Sequence, residues 1–128
     1  NLGPPIIKGD KIMSIKRYEP NGSNSRVVEN NGILYLSGLV CKNPDGDIKQ
    51  QTAEVLERIE ETLSKYGSDK EHILTMTLYL ADMSLFGEMN SVYDAWVSKE
   101  NRPTRACVQA KLAGEEFLLE IVCTAVVK

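Results

Sequence analysis

The sequence predicts an α+β fold: one sheet with two helices on a single face, in the order β-β-β-α-β-α-β-β. Two observations carry the prediction. Gln50 to Tyr66 and Leu85 to about Ser98 repeat apolar residues at helical spacing, while the other apolar stretches alternate with period two or run unbroken. The helices are short and amphipathic and the strands nearly continuous in apolar residues, so both helices belong on one face of one sheet. The opposite face then needs a cover that a chain of 128 residues lacks, and assembly with further copies supplies it.

Ser14 to Glu19 reads as a short edge strand, and Pro20-Asn21-Gly22-Ser23-Asn24 as turn chemistry. Ser25 to Glu29 is a strand, joined by Asn30-Asn31-Gly32 to the next, because Asn and Gly tolerate positive φ. That next strand, Ile33 to Val40, is interrupted by Ser37-Gly38, where the glycine marks a bulge or a close approach. Ser37 reads either as a hydroxyl bonded to a neighbouring chain or as a ligand contact.

After the loop Asn43-Pro44-Asp45-Gly46-Asp47 the first helix buries Ala53, Leu56, Ile59 and Leu63, broadened by Val55 and Tyr66. Its acidic side is a solvated face, and Gly67 stops it. Ile73 to Leu80 is a strand with Thr75, Thr77 and Tyr79 on one face and Leu74, Met76, Leu78 and Leu80 on the other. His72 before it reads as an exposed loop residue. Ser84 caps the second helix, whose stripe of Phe86, Met89, Val92, Tyr93, Trp96 and Val97 packs on the sheet. Asn90 within it is a surface residue, a helix-to-loop hydrogen bond or a ligand contact.

Arg102-Pro103 imposes an extended run into the C-terminal stretch. Arg105, Cys107, Gln109 and Lys111 share one face of its first strand. Its second strand puts Glu120 on a face with Leu118, Val122, Thr124 and Val126, and is apolar enough to be buried on both sides. A turn at Ala113-Gly114-Glu115-Glu116 joins the two as neighbours. A carboxylate in the middle of such a strand is costly unless it is paired or used, and Arg105 is the candidate to share its site. The two predict a site that holds a small anion with Arg105 and directs a water with Glu120.

Composition narrows the function classes. A net charge of −3, no run of Lys and Arg and 6% aromatic residues argue against a nucleic-acid scaffold. No apolar run is long enough to span a bilayer, and no signal-peptide organisation appears. Cys41, Cys107 and Cys123 form no CxxC pair and accompany one histidine, so metal ligands are lacking and three reduced thiols of a cytoplasmic protein are expected. Residues 13–128 form the single predicted domain. Residues 1–12, ahead of Met13, are a natural arm or a vector-derived leader.

Ile33 to Gly38, the helix start at Gln51-Thr52, Asp82 to Asn90, Arg102 to Val108 and Leu119-Glu120-Ile121 together resemble the YjgF/YER057c/UK114 (Rid) family, over about residues 14–127. The Tyr93-Asp94-Ala95-Trp96 segment resembles its small YoaB-like branch. The resemblance implies a chorismate-mutase-like six-stranded mixed sheet, a homotrimer with clefts between subunits, and hydrolysis of enamines and imines such as 2-aminoacrylate to 2-oxo acids and ammonia. It implies no metal or cofactor, because a protonated imine is already electrophilic. Arg105 falls on the family's carboxylate-binding arginine, a fork suited to two hydrogen bonds. Cys107 falls on a backbone contact, Glu120 on the residue that positions the attacking water, Ser37 and Gly38 on the family's Ser-Gly strand and Asn90 on its helix asparagine.

One departure stands out. The tyrosine that active deaminases carry in the N-terminal segment is absent; the region reads Asn24-Ser25-Arg26-Val27, and Arg26 in that place makes the cleft more cationic. The competing expectations are a non-catalytic binder or sensor of small carboxylates at the same cleft and, more weakly, the endoribonuclease or translation inhibitor of the family's older description. A nucleophilic Cys107 lacks a histidine near it in sequence.

Overall fold

The computed structural model describes residues 14–128; the boundary expected at Met13 and the leader 1–12 lie outside the described residues. The strands are β1 (Lys16–Pro20), β2 (Ser25–Asn30), β3 (Ile33–Leu36), β4 (Ile73–Leu80), β5 (Thr104–Gln109) and β6 (Leu119–Val126). The helices are α1 (Ile48–Lys65), between β3 and β4, and α2 (Phe86–Trp96), between β4 and β5. The predicted order holds. All six strands form one mixed sheet in the order β1-β2-β3-β6-β4-β5, with both helices on one face.

Local chemistry explains the parts nearest in sequence. Asn31 and Gly32 have φ of 52° and 77°, the two-residue turn whose twist matches its strands, and Asn30 pairs directly with Ile33. Asp47 and Gln50 close a capping box at the start of α1. Gly67, with φ of 84°, ends it: the Ser68 N–H reaches back to the Leu63 carbonyl at 2.8 Å. Asp82, not Ser84, caps the approach to α2, accepting from the Ser84 N–H through a short turn of 3₁₀ helix, Met83–Leu85.

The expected neighbourhood of the last two strands is overturned. β5 and β6 do not pair with each other; β4 lies between them, parallel to β5 and antiparallel to β6. The reason is burial. β6 carries apolar residues on both faces and belongs inside the sheet, whereas the mostly exposed β5 belongs at an edge. Nor is β6 buried on both sides. Leu119, Ile121, Cys123 and Ala125 are buried under the helices, while Glu120, Val122, Thr124 and Val126 are half-buried on a face that no described element covers. That open face also shows Tyr35 and Val108, 46% and 43% exposed.

Two smaller expectations also fail. A bulge between Ile73 and Thr75 turns Leu74 outward and puts Ile73 in the core. In α1 Ala53 is exposed, and Gln51 and Thr52 are buried instead. The buried Gln51 is a staple. Its Nε2 donates to the carbonyls of Pro44 (3.1 Å), Gly46 (3.2 Å) and Glu116 (3.0 Å), and its Oε1 accepts from the Leu118 N–H at 2.9 Å. It ties the loop before α1 to the connection that delivers β6.

Candidate functional site

Arg105 sits on the edge strand β5. It lies opposite Met76, and Cys107 opposite Leu78, so both share the face that carries the helices. On α2, Phe86, Asn90 and Tyr93 are spaced by four and three residues and turn to one side. The Arg105 guanidinium lies 4.6 Å from the Tyr93 ring centre and 5.6 Å from that of Phe86, a bed of cation–π contacts. Its Nη1 donates to Asn90 Oδ1 at 2.6 Å, and Asn90 Nδ2 donates to Asp94 Oδ2 at 3.1 Å. The Asp94 contact fixes which end of the amide faces the arginine. One edge of the guanidinium is thereby held, and its remaining N–H groups are left for an external anion. Asn90 is therefore a bond from helix to strand, and part of the aromatic stripe serves Arg105 as well as the core.

Cys107 is half-buried beside Arg105. Burial pushes its thiol up, with the arginine charge acting against that shift; burial likewise raises Cys41 and takes Cys123 up to about 12. None is poised as a thiolate. A thiol reagent applied to native protein at neutral pH is expected to modify at most one cysteine per chain, Cys107, slowly, and faster as pH rises; all three should react once the chain is unfolded. Rapid stoichiometric loss at pH 7, read by mass, would restore Cys107 as a nucleophile.

Glu120 lies elsewhere. It is opposite Tyr79 in the register, on the open face, so Arg105 and Glu120 of one chain project to opposite sides of the sheet. The expectation that they converge from adjacent strands of one chain is overturned, because β4 intervenes and the registers place them on different faces. Glu120 packs instead on Gly38, where a Cβ would stand 2.3 Å from its Oε2. Reciprocal hydrogen bonds between Leu39 and Ile121, at 2.9 and 3.0 Å, hold this segment against β6. The missing side chain predicted to mark a close approach thus makes room for a carboxylate. Neither that carboxylate nor the Ser37 hydroxyl bonds to another described residue.

Arg26 belongs with neither group. It lines a groove with Glu19, Lys42, Arg58 and Lys65 beside α1. His72 is half-buried and bonds through Nδ1 to Asp69 at 2.6 Å. Among the described residues no three His, Cys, Asp or Glu side chains are grouped to hold a metal ion, and no helix is long and apolar enough to cross a membrane.

The architecture defines a class: a chorismate-mutase-like α+β domain with an exposed guanidinium on one sheet edge and a glycine-cradled carboxylate on the open face. Its family follows from comparison. The family model described as Endoribonuclease L-PSP matches residues 14–127. The RutC family protein YoaB of Escherichia coli is 41% identical over 115 residues, covering 90% of this chain and all of that protein. A RutC family protein of Haemophilus ducreyi is 41% identical over 113 residues, covering 88% and 97%. The crystal structure of NMB1025, a YjgF-family protein of Neisseria meningitidis, superposes with a TM-score of 0.86 at 44% identity, covering 91% and 97%. The chain belongs to this family, known as endoribonuclease L-PSP, YjgF or RutC, on its YoaB-like side.

Proposed function

We propose that the protein hydrolyses small reactive 2-imino and enamino acids, of the 2-aminoacrylate class, to 2-oxo acids and ammonia in a cleft between copies of the chain. The observation that carries this reading is the preset Arg105, held along one edge by Asn90 and open along the other to a carboxylate. The opposite facing of Arg105 and Glu120 supports a site made from two chains, Arg105 with Cys107 and Asn90 from one and Glu120 with Ser37 and Gly38 from the next. The open apolar face supports a closed assembly, for which a homotrimer is the family's form. An enamine first becomes the imine by taking a proton from solvent at its β-carbon and losing one from nitrogen; Glu120 then takes a proton from water as the water oxygen bonds the imine carbon. Proton transfer to nitrogen and cleavage of the C–N bond then release ammonia and leave the 2-oxo acid. Arg105 contributes by fixing the carboxylate and balancing charge.

The test is pyruvate release from 2-aminoacrylate generated by a serine dehydratase. The protein should accelerate it over buffer; equal rates would reject the activity. A second reading is favoured by the missing tyrosine: a binder of small carboxylates without turnover. Calorimetry would then show 2-oxo acid binding that Arg105→Ala abolishes and Glu120→Ala keeps. RNA cleavage, suggested by the family's description, fits poorly with a net charge of −3.

Gly38→Ala probes the carboxylate separately. The clashing atoms are the flexible end of Glu120, so the fold should accommodate the new methyl with a stability change of under about 1 kcal/mol while the carboxylate is displaced. Turnover is expected to fall about tenfold or more. An unchanged rate with an unchanged melting temperature would remove Glu120 from the mechanism.

A further inference from the structure

We propose a second anion site, independent of Arg105 and of the activity above, in the groove where Arg26, Lys42, Arg58 and Lys65 meet, with a small phosphate monoester as its ligand. The groove encloses about 350 Å³ between β1, β2, the segment after β3 and the outer side of α1, with Leu39, Thr62, Glu19 and Glu61 completing its walls. Four cations in one groove are conspicuous in a chain of net charge −3.

Its internal pairing leaves positive charge unspent. Glu19 accepts from the Tyr66 hydroxyl and from Lys65 Nζ at 3.1 Å, and these bonds, the Tyr66 one foremost, hold its carboxyl below the ordinary range. Glu19 and Lys65 therefore answer each other. Arg26 also acts on Glu19, and Lys42 and Arg58 share the groove with Glu61, so four cations stand against two carboxylates. Arg26 and Lys42 make no ion pair or side-chain hydrogen bond with a described residue. Arg58 is anchored, since one Nη donates to the Val40 carbonyl at 2.6 Å, and its other N–H groups remain to bind. A residual charge of about two, two planar forks and an ammonium suit the three oxygens of a dianionic phosphoryl group better than a monocarboxylate.

Size and surroundings restrict the ligand further. The outer surface of α1 beside the groove carries Glu57, Glu60 and Glu61, which repel a nucleic acid or an anionic bilayer laid across it. A molecule of a few carbons bearing one phosphoryl group clears Glu57 and Glu60 and meets only Glu61, in the groove wall, where the cations outnumber the carboxylates.

The experiment is calorimetry of the full chain at low ionic strength with glycerol phosphate and, as a monoanion control, acetate. Glycerol phosphate should bind the wild type and Arg105→Ala equally, and more weakly as salt is added. Lys42→Glu, at an exposed position with no described partner, should weaken binding at least about tenfold without altering the melting temperature. Arg58→Gln should do the same if its fold is intact. Absence of binding, equal binding of acetate by Arg105→Ala, indifference to Lys42→Glu, or loss of glycerol phosphate binding in Arg105→Ala would each overturn the site. Arg105→Ala is the variant that abolishes the carboxylate site, so failure here and failure of the proposed hydrolysis are read separately.

Discussion

Arg105→Ala and Glu120→Ala chains, each inactive alone, are expected to recover about a quarter of the wild-type rate when unfolded together and reassembled at equal amounts. Each loss should be large. Removing Arg105 deletes two charge-assisted hydrogen bonds to the substrate carboxylate, about 3–4 kcal/mol and so a factor of about 10²–10³ in kcat/KM. Removing Glu120 deletes the base, worth about 10²–10⁴. Recovery follows from the faces. Within one chain the guanidinium turns to the helix side and the carboxylate to the open side, so one substrate can touch both only if two chains contribute. In a closed ring of randomly mixed subunits, about one junction in four joins an intact arginine to an intact glutamate. Recovery of nothing, with reassembly shown by mass, would sink the two-chain site. Activity in either single variant would sink the assignment of that residue.

Gln51→Leu is expected to cost about 3 kcal/mol and lower the melting temperature by roughly 10 °C, a large effect for a swap that adds apolar character. Gln51 is 1% exposed and answers three carbonyls and one N–H. Leucine fits the volume but leaves backbone groups of two loops without partners, and a buried group stripped of its partner costs about 1–3 kcal/mol. The damage should be uneven, because the loop from Ala110 to Leu118 delivers β6. Amide exchange ought to quicken there first, before the centre of α1. A loss under about 1 kcal/mol in a denaturant titration would show that water answers those groups and that the staple is dispensable.

Gln51 also shows why some of the fold stayed hidden. In sequence it is one polar residue in a helical run, outside the apolar stripe, and nothing nearby announces two loops that converge from elsewhere in the chain. Asn90 gave a partial signal: its spacing from Phe86 and Tyr93 puts all three on one side of α2, yet only β5 beneath them shows that they bed Arg105. Gly38 was the most legible, since a glycine in an apolar strand asks what approaches it, and the answer is Glu120. Arg26 misled for the opposite reason. Its place in the chain suggested the carboxylate cleft, and its side chain joins Lys42 and Arg58 instead.

What the sequence determined by itself is what short-range chemistry governs. The number and order of elements, the Asn31-Gly32 turn, the Asp47 capping box, the Gly67 stop and the presence of one arginine and one carboxylate in the C-terminal strands are all set within a few residues of themselves. Tertiary structure alone decided which strands are neighbours and which way the two charged groups face. The most apolar strand goes to the middle of the sheet, where burial is greatest, so β6 passes beyond β4 and leaves β5 at the edge. That rearrangement depends on the sum of burial over the whole sheet, and no local spacing encodes it.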